Sequence, residues 1–145
     1  MLKDWNKMEQ PSDEEMESRL KKAKERLQQQ QILIMQKKLP VLVLLEGWGA
    51  AGKGSVLGKI IKNIDPRFFK VAVMDEPTKE EKRKPFLYRH FVKIPEAGKF
   101  VFMDSGWLSE VTKQKALGEL SDEDYKKRIE SIKRFERQLT DNGYL

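Results

Sequence analysis

A buried strand that runs straight into a glycine-rich turn and then a helix admits few folds, and residues 39–55, LPVLVLLEGWGAAGKGS, read that way. Val41 to Leu45 are a short run rich in Val and Leu, the composition of a strand covered on both faces of a parallel sheet. Gly47, Gly49 and Gly52 allow backbone conformations that a Cβ forbids and let oxygens approach the amides. The helix that follows points its positive end and unpaired N–H groups at the same place, and Lys53 adds a mobile full charge. Gly, four residues, then Gly-Lys is the spacing of a phosphate-binding P-loop, here spanning Gly47, Gly49, Ala50, Ala51, Gly52, Lys53, Gly54 and Ser55. Gly54 stands where such a loop usually has a Ser or Thr for magnesium, with Ser55 one place later. The plainer alternative is a glycine turn that only closes a strand–helix unit.

With 145 residues the chain is one domain or part of one, long enough for a hydrophobic core. It has no Cys, which excludes a disulfide framework and a thiolate metal site. No apolar run is long enough to span a membrane and the first residues are too polar for a signal peptide, so the expectation is a soluble, cytoplasmic protein with no membrane partner. Lys and Arg outnumber Asp and Glu by 29 to 23, a net charge of +6 that suits nucleotide, polyphosphate or nucleic acid. The charges are interspersed and the aromatic content is ordinary, which disfavours nucleic acid.

Residues 1–11, with Trp5 and Pro11, carry no periodic pattern and read as an arm. Ser12 with Glu15 is a capping box opening a long helix to about Lys38, its stripe Met16, Leu20, Ala23, Leu27 and Ile34; residues 1–38 therefore read as an arm and a helix before a domain over 39–145. Beyond the glycine turn, Val56, Leu57, Ile60, Ile61 and Ile64 mark a helix that ends near Asp65-Pro66. Phe68 to Val73 reads as a strand, Pro85 opens a short helix through Phe91, and Phe100 to Met103 reads as a third strand finishing at Asp104. Residues 107–117 read as a helix closed by Leu117-Gly118. Ser121 with Asp124 opens another, with the stripe Tyr125, Ile129, Ile132, Phe135 and Leu139 and a stop at Asn142-Gly143. Tyr144-Leu145 reads as the first step of a further strand. The class is α/β, a P-loop NTPase with a parallel sheet between helical layers; three strands leave an apolar edge, so the chain reads as a fragment or as completed by another chain or domain.

A carboxylate at the tip of an apolar strand, far along the chain from a P-loop, is where Walker-B aspartates hold magnesium or a metal-bound water, because open α/β sheets gather ligands at their strands' carboxyl ends. Asp104 has that position, although Asp also ends strands simply as a turn former. His90 is the only histidine, and packing explains it without catalysis. Trp48 has two readings, packing on the sheet or stacking on a base, while Trp107 reads as core. The run Lys79 to Lys84 is read equally as a solvated lid and as a polyanion contact.

Taken together, GWGAAGKGS, Asp65-Pro66-Arg67, Glu76-Pro77-Thr78 with Glu80-Glu81, Pro85 to Arg89, Pro95 to Gly98, Phe102 to Trp107 and Phe135 to Leu139 before Gly143 resemble the second polyphosphate kinase family over about residues 39–145. The resemblance implies a thymidylate-kinase-like, three-layer α/β/α P-loop kinase. Such enzymes move phosphoryl groups between polyphosphate and a nucleoside mono- or diphosphate such as AMP or ADP, with Mg2+, and some carry two such domains in tandem. Carried over by position, Gly47 to Ser55 would bind phosphates, Lys53 would meet the transferred group, and Asp104 would be the metal carboxylate. Arg89 would touch phosphate or nucleotide, and Lys79, Lys82, Arg83 and Lys84 would lie near the polyanion channel.

This chain departs from the family's pattern at two places. Gly49 stands where the family usually has Asp, and Ser105-Gly106 stands where Arg-Ser usually follows the strand-end Asp. Fewer metal carboxylates weaken magnesium binding, and loss of a transition-state Arg is worth on the order of thousands-fold in rate. The resemblance therefore implies a catalytically degenerate copy, similar to the N-terminal half of a tandem member, with a second kinase-like domain or a homo-oligomer as partner. A non-catalytic structural or polyphosphate-binding module and, less favoured, a basic nucleic-acid-binding domain are the alternatives.

Overall fold

The computed structural model describes residues 11–145, so the arm expected before Pro11 lies outside the described residues. Three short strands, β1 (Val41–Leu45), β2 (Phe69–Val73) and β3 (Phe100–Asp104), form one parallel sheet in the order β1-β3-β2. The last strand enters between the first two, with Leu45 and Val73 both in register with Asp104, so all three chains leave the sheet at one edge.

Strand alternation decides which layer each side chain joins. Val41, Val43 and Leu45 pack with Phe100, Phe102 and the helix α2 (Lys53–Ile61) on one face; Leu42, Leu44 and Met103 pack with α4 (Trp107–Ala116) and α5 (Asp122–Asp141) on the other. That is the three-layer α/β/α arrangement expected. The central strand is fully covered from Phe100 to Met103, whereas every residue of β1 is half-buried because its outer edge is open. One rung closes part of that edge: the Leu145 N–H donates to the Pro40 carbonyl at 3.0 Å and the Leu145 carbonyl receives the Leu42 N–H at 2.8 Å, the parallel pattern opposite Val41.

Both serines cap their helices, Ser12 accepting from the Glu15 N–H at 3.2 Å and Ser121 from the Asp124 N–H at 3.0 Å, without the return bond that would complete a capping box. The first opens α1 (Asp13–Gln36), whose expected stripe is only half used. Leu27 and Ile34 reach the core and Gln31 is buried with its side-chain oxygen on the Asp65 N–H, but Met16 and Leu20 stay exposed. In α5 the stripe holds, with Ile132, Phe135 and Leu139 buried. The short helix α3 is a single turn, Tyr88–Phe91, shorter than the run from Pro85 suggested. Among the described residues no helix is long and apolar enough to cross a membrane.

Candidate phosphate-binding site

β1 ends at Leu45 and the chain turns through Glu46 to Gly52 before α2 begins at Lys53. Gly52 caps α2 in the left-handed region, φ 84°, so the helix starts without a side-chain cap and the amides of Lys53, Gly54 and Ser55 have no intrahelical acceptor. The other positive-φ residues inside the turn are Gly47, φ 153°, and Ala50, φ 62°, and not Gly49, whose backbone needs no glycine and whose Cβ position meets nothing within 4 Å. Lys53 folds back over the turn, its Nζ donating to the carbonyls of Gly47 at 3.0 Å and Trp48 at 3.1 Å. Trp48 is 67% exposed, which overturns the packing reading of that indole.

Period-2 alternation sends the strand-end acids of β1 and β3 to opposite faces. Asp104 shares the face of Leu45 and Phe102, toward α2. Its Oδ1 is buried and has no hydrogen-bond partner, an orphaned anionic acceptor of the kind that a cation or its bound water satisfies. Among the described residues no group of three or more His, Cys, Asp or Glu forms a metal cage. Magnesium does not need one, since it takes one or two carboxylates plus phosphates and water. The orphaned Asp104 oxygen thus fits a divalent cation that takes its remaining ligands from phosphate and water.

Glu46 leaves on the α4 face. Its carboxylate accepts the backbone N–H groups of Leu108 at 3.3 Å and Ser109 at 3.0 Å and also the Ser109 hydroxyl, while the Ser109 oxygen receives the Gly47 N–H at 3.5 Å. Beside it opens a cavity of about 720 Å³ between the glycine turn, the end of β2 and α4. Its lining takes in Gly47, Trp48, Gly49, Lys53, Ser105 and Arg89; Asp104 and the cations Lys79, Lys82, Arg83 and Lys84 are not part of it. Lys84 instead lies over the Tyr88 ring at 4.3 Å, and Arg83 pairs with Glu80 at 3.8 Å.

Arg89 is buried in the cavity wall. It donates to the Asp75 carbonyl and lies 3.6 Å from Glu110, while its Nε, 3.8 Å from Glu81, makes no hydrogen bond. Glu110 also faces His90 Nε2 at 3.2 Å; the ring is wholly buried, with Nδ1 3.4 Å from Met103 Sδ and its edge on Trp107. At the mouth, Lys113 meets Glu76 at 2.7 Å, and this hydrogen bond, with the ammonium charge, holds the Glu76 carboxyl below its ordinary value. Glu81 is lowered as well, first by the Thr78 N–H it accepts and then by Arg89.

The turn, Lys53 and Arg89 thus line one cavity, and Asp104 ends the neighbouring strand on the α2 side. Sequence reasoning missed Glu46 and Glu110. Parity along β1 was the available signal for Glu46, whereas Glu110 meets His90 only through packing of α4 on α3.

The profile of a family described as Polyphosphate kinase 2 (PPK2) matches residues 10–145. A polyphosphate:AMP phosphotransferase of Pseudomonas syringae pv. tomato is 34% identical over 103 residues, and the match covers 71% of this chain and 21% of that one. An ADP-polyphosphate phosphotransferase of Rhizobium meliloti is 31% identical over 103 residues, 71% of this chain and 36% of its own length. A solved structure from Pseudomonas aeruginosa with a polyphosphate kinase 2 description superimposes with a TM-score of 0.87 at 26% identity, covering 95% of this chain and 30% of that one. This chain therefore spans about a fifth to a third of the length of these relatives.

Proposed function

The chain belongs to the polyphosphate kinase 2 family, and on that premise we propose that it is the phosphate-binding part of a polyphosphate:nucleotide phosphotransferase in which transfer by this copy is reduced or lost. One observation carries the reading: the turn from Gly47 to Gly52 leaves the first amides of α2 free, with the Lys53 ammonium folded over them at the carboxyl edge of a parallel sheet. Phosphate oxygens take the place of the Gly47 and Trp48 carbonyls on Lys53 and accept from the amides of Lys53 to Ser55, exchanging neutral acceptors for charged ones.

Asp104 would hold a magnesium ion with its orphaned oxygen, directly or through water. When bound, such an ion neutralises charge on the phosphates being transferred. Arg89 reaches the nucleotide or phosphate from the cavity wall, and the exposed Lys79, Lys82 and Arg83 with Lys84 raise the local concentration of polyanion from outside it. The acceptor is of the AMP or ADP class, which the names of the relatives support. A second kinase-like domain or a second copy completes the machinery, in the cytoplasm.

Transfer is reduced because Gly49 supplies no carboxylate and Ser105-Gly106 no guanidinium where in-line transfer needs metal ligands and cations. The test is phosphoryl transfer from polyphosphate to AMP and to ADP with magnesium, run with the chain and with Lys53→Ala. The expected result is no turnover that the substitution removes. Clear Lys53-dependent turnover makes this copy an active kinase and overturns the reduced-transfer reading.

A further inference from the structure

The helix α4 begins without a cap of its own. Its N-cap is Gly106, which has no side chain, and the amides of Leu108 and Ser109 would otherwise lack acceptors. Glu46, from a different strand, supplies the acceptor for both, and the same carboxylate holds the Ser109 hydroxyl whose oxygen receives the Gly47 N–H. A negative charge at this helix end also meets the positive end of the α4 dipole. The first peptide of the glycine turn is thereby tied to α4.

Gly106 makes the tie possible by its size and not by its backbone, which is extended at φ −88°. A Cβ there would stand 2.6 Å from Glu46 Oε1 and 3.2 Å from Leu44 Cδ2. A side chain at position 106 therefore requires the Glu46 carboxylate, the free end of an exposed side chain, to shift from where it now lies on α4.

We propose that Glu46 is a positioning residue for the glycine turn, acting through Ser109, and that Gly106 is the gap that admits it. The carboxylate touches no phosphate; it fixes the direction in which the turn leaves β1, and with it the amides that face the ligand. The effect on ligand affinity rests on the phosphate-binding reading above, whereas the effect on the turn's own rigidity does not.

A pure helix cap and a positioning residue predict different outcomes when the cap is restored by other means. In Glu46→Ala combined with Gly106→Ser, the new hydroxyl caps α4 in the ordinary way but makes no contact through Glu46 to the turn. The readouts are thermal midpoint, tripolyphosphate affinity with magnesium, and amide exchange over residues 47–52, on the full chain with Glu46→Gln as a milder variant. Positioning predicts that Glu46→Ala weakens tripolyphosphate binding about tenfold, the scale of one charge-assisted hydrogen bond. It also predicts that the double variant recovers the thermal midpoint without recovering affinity. Recovery of both, or unchanged affinity in Glu46→Ala, overturns the proposal. Should Glu46→Ala fail to fold, Glu46→Gln takes its place in the affinity comparison, and unchanged affinity there likewise overturns it. If the unmodified chain binds no tripolyphosphate, the phosphate-binding reading fails on its own; faster exchange at 47–52 in the double variant then still supports the tie, and unchanged exchange overturns it.

Discussion

His90 Nε2 rests 3.2 Å from the Glu110 carboxylate with the imidazole wholly removed from solvent. Nε2 is therefore assigned the proton, since a carboxylate only accepts. The same carboxylate faces Arg89, so a side chain that packs the core also anchors the cavity wall. His90→Ala removes a buried ring lying against Trp107 and leaves Glu110 short of a donor. It is expected to destabilise the fold by about 2–4 kcal/mol, read from the denaturant midpoint at constant slope.

Gly49 and Gly106 differ in what they tolerate. Gly49→Asp adds a carboxylate into open space at an exposed residue and is expected to change stability by no more than about 0.5 kcal/mol. With magnesium present it raises tripolyphosphate affinity, because the ion gains a ligand. Gly106→Ser alone displaces the Glu46 carboxylate from α4 and is expected to cost about 1 kcal/mol, the scale of a lost cap. Parallel urea titrations of the two variants check both figures.

Glu76 and Lys113 set a pH dependence whose sign is fixed by their pairing. The carboxyl is held below, and the ammonium above, its ordinary value, in each case first by the hydrogen bond and then by the partner's charge. The stabilisation from Glu76 is present above the ordinary carboxylate range and is lost as pH falls through the depressed folded value. Lys113→Ala returns the Glu76 titration toward the ordinary Glu value, which a side-chain carboxyl NMR titration reads directly.

Much of this is legible in the sequence. The turn between Val41 and Ser55, the capping serines at 12 and 121 and the strand-end Asp104 all rest on short-range chemistry that spacing exposes. What stayed hidden depends on contacts between distant segments. Glu46 meets Ser109 only because β1 and β3 are neighbours and α4 starts on the face where residue 46 emerges. Met16 and Leu20 belong to a correct helical stripe, yet α1 reaches the core only from Leu27 onward, and periodicity cannot say how far a partner surface extends. Trp48 has two readings in the sequence because a large apolar residue is usually covered, whereas the turn carries this one outward.

The central claim is that the turn closed by Lys53 holds phosphates. Calorimetric titration of tripolyphosphate into the chain and into Lys53→Ala, with magnesium, tests it most directly. The account predicts measurable binding that weakens at least about tenfold in the variant, as loss of a charge-assisted contact requires, and that falls as ionic strength rises. Equal affinity in the two proteins would contradict it.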